Sequence, residues 1–252
     1  MGSYGSVGAS YEAPSVSGGY GGFYSLSPGS IGSGYGGLST YYPSSFHMGS
    51  YSCSSARPYS VPLSSQNFEA SLFLNPNRPA VPFITCSDDV KVIMEETYEK
   101  ITGQKFPEAI QVLICPLDQF KSLHSEFGPW NEGIMGFSLN RFGKGTSEIY
   151  VRQAPLDSLM LTIGHEIGHV LSPTLVNAHD EEAKAHAFSL AWMNTIRDHN
   201  IADLKANISP NPANNGLHDV AFNFVTKLLH TGASPLDIFE TLSKGLTSIL
   251  AA

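Results

Sequence analysis

Basic residues are scarce in this 252-residue chain, where 14 Lys and Arg stand against 22 Asp and Glu for a net charge of −8. No basic stripe gathers anywhere along it, which argues against a nucleic-acid surface, because phosphate contacts need clustered Lys and Arg. Cysteine is almost missing: Cys53, Cys86 and Cys115 are an odd number in no CxxC spacing. They cannot frame a disulfide scaffold and fit a reducing compartment, with Cys86 and Cys115 expected as buried thiols at strand ends. No run of about 18 apolar residues is present for a membrane span, and no basic segment followed by an apolar one opens the chain. The expectation is a cytoplasmic protein with no membrane span. Also missing are a GxSxG nucleophile elbow, a P-loop and a strand-led GxGxxG, so the chemistries those motifs serve have no footing here.

What is present divides the chain sharply. Residues 1–60 hold 13 of the 24 glycines, 9 of the 11 tyrosines and 17 serines, with Glu12 and Arg57 as their only charges. GYGG occurs at 19–22 and again at 34–37. Such a segment has too few aliphatic residues to offset the entropy of ordering, so 1–66 is expected to be a disordered low-complexity tail and 67–252 a folded domain. Tyrosines spaced by Gly and Ser resemble weakly self-associating segments, which makes clustering through the tail the functional reading and a spacer the plain one.

The folded part reads as a mixture of strands and helices. Residues 80–85 suggest a short strand, and Ser87-Asp88-Asp89 caps a helix that Thr102-Gly103 stops. AIQVLIC at 109–115 is a nearly continuous apolar run, expected to be the central strand of a sheet. A weaker helix covers 117–127. Segments 133–140 (GIMGFSLN) and 147–153 (SEIYVRQ) form a hairpin about Gly143 and Gly145. Pro155 and Asp157 open a helix that Pro173 ends, and further helices are expected at about 178–200, 217–229 and 234–244, with 207–215 as an exposed loop.

The helix opened by Pro155 carries His165-Glu166-Ile167-Gly168-His169. Two histidines at i and i+4 sit one above the other, so both can face one metal ion while Glu166 acts on a metal-bound water. At 100° per residue, Leu156, Leu159, Ile163, Ile167 and Val170 form a stripe opposite His165 and His169. Gly164 and Gly168 lie between the faces, where close approach of a neighbouring element or of substrate would explain them. A catalytic zinc takes three protein ligands and leaves a fourth position to water, so a third ligand is needed. A short loop would set the next helix antiparallel, bringing Glu182 back toward the histidines with His186 one turn further.

HEIGH followed on the next helix by Glu182-Ala183-Lys184-Ala185-His186 resembles the gluzincin zinc peptidases, and in its short spacing their compact members. The resemblance spans about 133–188. It implies an α+β zincin-like fold, with a small mixed sheet packed on the HExxH helix and a following glutamate-bearing helix, and extra helices after them. It implies one zinc ion held by His165, His169 and Glu182, with Glu166 as general base in peptide-bond hydrolysis of a peptide or protein substrate. Glu181 is the reserve third ligand, and His186 departs from the family's Asp or Asn. Ligand identity alone would also admit iron or manganese. The family needs an oxyanion donor from outside the motif, and the candidates are His218, first by its neighbour Asp219, then Tyr150, His179 and His186. Substrate would lie antiparallel to an edge strand, expected at Ile149-Tyr150-Val151. The metzincin pattern fails, because Ser172 and Leu175 stand where it needs Gly and His. A catalytically silent zincin fold acting as a metal-bound regulatory or interaction module is the alternative.

Overall fold

Helical spacing of Val90, Met94, Thr97 and Tyr98 gives α1 (Asp88–Thr102), which ends where Gly103 takes a left-handed φ of 68°. This computed structural model describes residues 68–210 and 220–251. The tail expected at 1–66 and residues 211–219, His218 among them, lie outside the described residues. Ser87, expected as the cap of α1, makes no cap bond. Its hydroxyl accepts the Ile114 N–H at 3.0 Å, tying the start of α1 to the neighbouring strand.

Three strands, β2 (Ile110–Cys115), β3 (Gly136–Leu139) and β4 (Ser147–Arg152), form a mixed sheet in the order β2-β4-β3. The expected hairpin is the antiparallel β3–β4 pair, and its turn uses positive φ at Gly143 (69°) and Gly145 (139°). β2 joins β4 in parallel, after a connection that includes α2 (Leu117–Ser125). The expectation of a central β2 is corrected: β4 is central and β2 lies at an edge. Ile110, Val112 and Ile114 of β2 pack on one core, and Leu113 and Cys115 on another. A continuous apolar run records that both faces of a strand are covered, not that strands flank it on both sides.

A second pair, β1 (Phe83–Ile84) with β5 (Ala154–Pro155), is antiparallel and delivers the chain into α3 (Leu156–Val170). α4 (Ala178–His199) follows, then α5 (Val220–His230) and α6 (Pro235–Ser243), whose Ser234 and Asp237 form a capping box. Together these elements make the α+β arrangement, with small sheets against α3, α4 beside α3, and helices after them. A Cβ on Gly168 would fall 2.8 Å from the Ala185 Cα, and one on Gly164 would fall 2.5 Å from the Trp192 ring. Both glycines therefore serve the contact with α4, and the order of the two contacts sets α3 and α4 antiparallel.

The side of α3 opposite its apolar stripe is enclosed too, with Thr162 and His165 buried. Cys115 is buried as expected, but Cys86 is exposed. Asn207, expected in an exposed loop, is fully buried and donates to Pro79 O and to Asp157.

Candidate metal centre

The helix that presents the motif is held at both ends. In its first turn, buried Asp157 accepts hydrogen bonds from Arg78 Nε at 2.6 Å and from Asn207 Nδ2 at 3.0 Å. At its last turn the carbonyl of His169 accepts from Asn140 Nδ2 at 2.7 Å and Lys184 Nζ at 3.3 Å. These bonds satisfy backbone oxygens that a helix end leaves without partners, and the Lys184 charge complements the C-terminal dipole.

On the α4 side of this helix, His165, His169 and Glu182 bring one ligand atom each within 4.8 Å of one another. Glu182 Oε2 lies 3.5 Å from His165 Nε2, and Oε1 lies 3.7 Å from His169 Nε2. Tetrahedral zinc with bonds of about 2.0–2.1 Å has edges of about 3.3 Å, so the two carboxylate–imidazole contacts are near that edge length, while one atom from each of the three residues would draw in from within 4.8 Å. Glu182 Oε1 is buried without a hydrogen-bond donor. A buried carboxylate oxygen in that state costs free energy unless a cation meets it, and a His2Glu donor set suits zinc.

The charges follow the same geometry. Burial pushes His165 down to about 3, so its imidazole is neutral. Burial also works to lower His169, but Glu182, the bond to Glu181 and Glu166 outweigh it and raise it to about 9. For Glu182, burial is outweighed by the facing His169 and His165, which hold it well below the usual carboxylate range. Burial raises Glu166 to about 7, offset in part by His169 and by a hydrogen bond from Ser138. The metal-free cluster thus keeps a proton on His169 between carboxylates, the place a divalent cation would take.

Glu181, the reserve ligand, has a different place. It accepts His169 Nδ1–H at 2.8 Å through Oε1 and Leu175 N–H at 2.8 Å through Oε2, and pairs with fully buried Lys184 at 2.9 Å. Glu181 thus holds the Nδ1 side of His169, while Glu182 faces the Nε2 atoms of both histidines. Ser138 and Gly136 on β3, Lys184 and Asn140 are neighbours of the site that spacing along the sequence did not reveal. Lys184, three residues after Glu181 on a helix, was the one available signal.

The other candidates scatter. His186 reaches the cluster, its ring 5.0 Å from that of His165. His179 is exposed in the first turn of α4. Tyr150 stacks on Phe137 at 5.0 Å, on the sheet face opposite Ile149 and Val151, and burial pushes it up to about 12. His218 lies outside the described residues. The expectation that Ile149-Tyr150-Val151 is an edge is corrected, because β4 has β2 on one side and β3 on the other.

No family model, curated protein or solved structure matches the chain. The class is therefore defined by fold and site alone. His165-Glu166-x-x-His169 with Glu182 from the following helix forms a buried His/His/Glu cluster consistent with a gluzincin HExxH-plus-Glu site, set in an α+β fold consistent with a zinc metallopeptidase.

Proposed function

We propose that the chain hydrolyses peptide bonds as a zinc-dependent endopeptidase, with His165, His169 and Glu182 as the ligands and Glu166 as the general base. The observation that carries this reading is the buried Glu182 carboxylate, whose Oε2 lies 3.5 Å from His165 Nε2 and whose Oε1, 3.7 Å from His169 Nε2, has no hydrogen-bond donor. Zinc bound there supplies Lewis acidity, lowering the pKa of a water toward about 7 and polarising a carbonyl. Glu166 accepts the proton of the attacking water and hands it to the leaving amine. A hydrogen bond from Ser138 holds the carboxylate that takes this proton.

Substrate binding belongs to β3. It is the edge of the sheet beside α3, and Gly136 and Ser138 lie on its Glu166 side. An extended peptide added antiparallel to this strand would have its main chain aligned by backbone hydrogen bonds and its scissile bond brought past Glu166. We keep His218 as the oxyanion donor. What supports it is the adjacent Asp219, a carboxylate that would keep the imidazole protonated. The domain boundary at 67 is part of the same reading, and deletion of 1–66 is expected to leave zinc binding intact. Among the described residues no helix is long and apolar enough to cross a membrane.

Metal analysis joined to one substitution tests the proposal. Purified full-length protein should carry about one equivalent of zinc, and Glu166→Gln should keep it while losing cleavage of a broad peptide library by about 10²–10⁴-fold. Wild type that holds zinc and cleaves nothing would establish the silent metal-bound module instead.

A further inference from the structure

The two histidines of the cluster are supported by unlike means. His169 donates Nδ1–H to a carboxylate, the usual outer partner of a metal-bound imidazole. His165 has no such partner: its Nδ1 is buried and finds no hydrogen bond. Yet the ring is 2 % exposed and must hold one orientation for Nε2 to face Glu182. The ring lying flat against it is Phe68, with centroids 4.2 Å apart and an interplanar angle of 11°. Phe68 is 8 % exposed and is braced in turn by Phe73, stacked at 5.3 Å.

We propose that Phe68 is a positioning residue for His165, and that metal binding and the docking of the Phe68 segment are energetically coupled. An imidazole that donates its lone pair to a dication becomes electron-poor, and an electron-poor ring is held more strongly by the face of a phenyl ring than a neutral one. The stack is therefore stronger with the ion in place, and what the ion adds to the stack the stack must add to the ion's affinity. The proposal rests on the zinc reading of the cluster.

Zinc titration of the full-length chain tests it, with a competing chromophoric chelator as the readout. Phe68→Leu keeps an apolar side chain but removes the ring, and should weaken zinc binding by roughly three- to thirtyfold. Phe68→Tyr should restore wild-type affinity. The visible spectrum of the cobalt-substituted protein should shift in the Leu variant and not in the Tyr variant, which loss of packing alone would not produce. Wild type needs no substitution for a second measurement, in which zinc should slow hydrogen exchange at 68–74 more than at α1. Equal zinc affinity in wild type and Phe68→Leu, or equal protection of the two segments, overturns the coupling. Failure of wild type to bind zinc at all overturns the zinc reading itself.

Discussion

Strand β3 has two faces that belong to two different problems. Toward α3 it shows Gly136 and Ser138, one with no side chain and one with a small polar one, both against Glu166. Toward α2 it shows Phe137 and Leu139, which close a second core with Cys115, Phe120 and Ile134. One face is cut back to admit a carboxylate and leave room beside it, while the other is filled with rings. A four-residue strand can do both because successive side chains alternate, so the packing that fixes its position does not intrude on the site. Position and chemistry should therefore respond separately to substitution.

The sharpest division is expected between Glu166 and Phe120. Where Glu166→Gln removes activity and spares the fold, Phe120→Ala should do the reverse. It empties a fully buried ring site at about 3–5 kcal/mol, seen as a fall in the denaturation midpoint, with zinc affinity of the folded protein unchanged. Loss of zinc in that variant would break the separation of the faces. Gly136→Ala probes the boundary from the site side. Its new Cβ would meet Thr162 Cγ2 at 2.6 Å and Glu166 Cγ at 3.1 Å, displacing the Glu166 side chain. A fall on the order of 10²-fold in kcat with zinc retained is expected, because small misplacement of a reacting group costs that much. Unchanged turnover would mean that Glu166 does not depend on the β3 contact. The smallest effect is assigned to Tyr150→Phe. It loses one hydrogen bond to Glu148 on the packed face, worth about 0.5–1.5 kcal/mol, and should leave kcat/KM at the wild-type value. A drop of about a hundredfold would instead make Tyr150 an oxyanion donor and join the two faces into one site.

How far the sequence could be read follows from which forces are local. His165, His169 and Glu166 were legible because helical spacing alone puts two imidazoles on one face, and Glu182 because a short loop returns the next helix. The hairpin was legible from its turn glycines. The order of strands was not, since the run at β2 reports covered faces and no residue in it specifies neighbours. Nor was the buried far side of α3, because Thr162 and Glu166 look like a polar face until β3 covers them. The place of Glu181 turned on which of two adjacent carboxylates meets Nδ1 of His169 and which faces the two Nε2 atoms. Phe68 stands almost a hundred residues from the ring it touches. Contacts of that kind carry no period for a sequence to display.

The backbone contact between Gly168 and Ala185 has a kinetic consequence. His169 follows Gly168 directly, and Glu182 lies one turn before His186 on the helix that makes the contact. With ligands on two helices pressed this closely, rotation of a side chain on the picosecond-to-nanosecond scale does not free an ion. Release of a bound ion is expected to be fastest when α3 and α4 part, an opening of a cooperative unit rather than of a residue. The lifetime of a bound metal should then follow the unfolding rate of the helix pair, and exchange with chelators should slow or quicken with the stability of that pair.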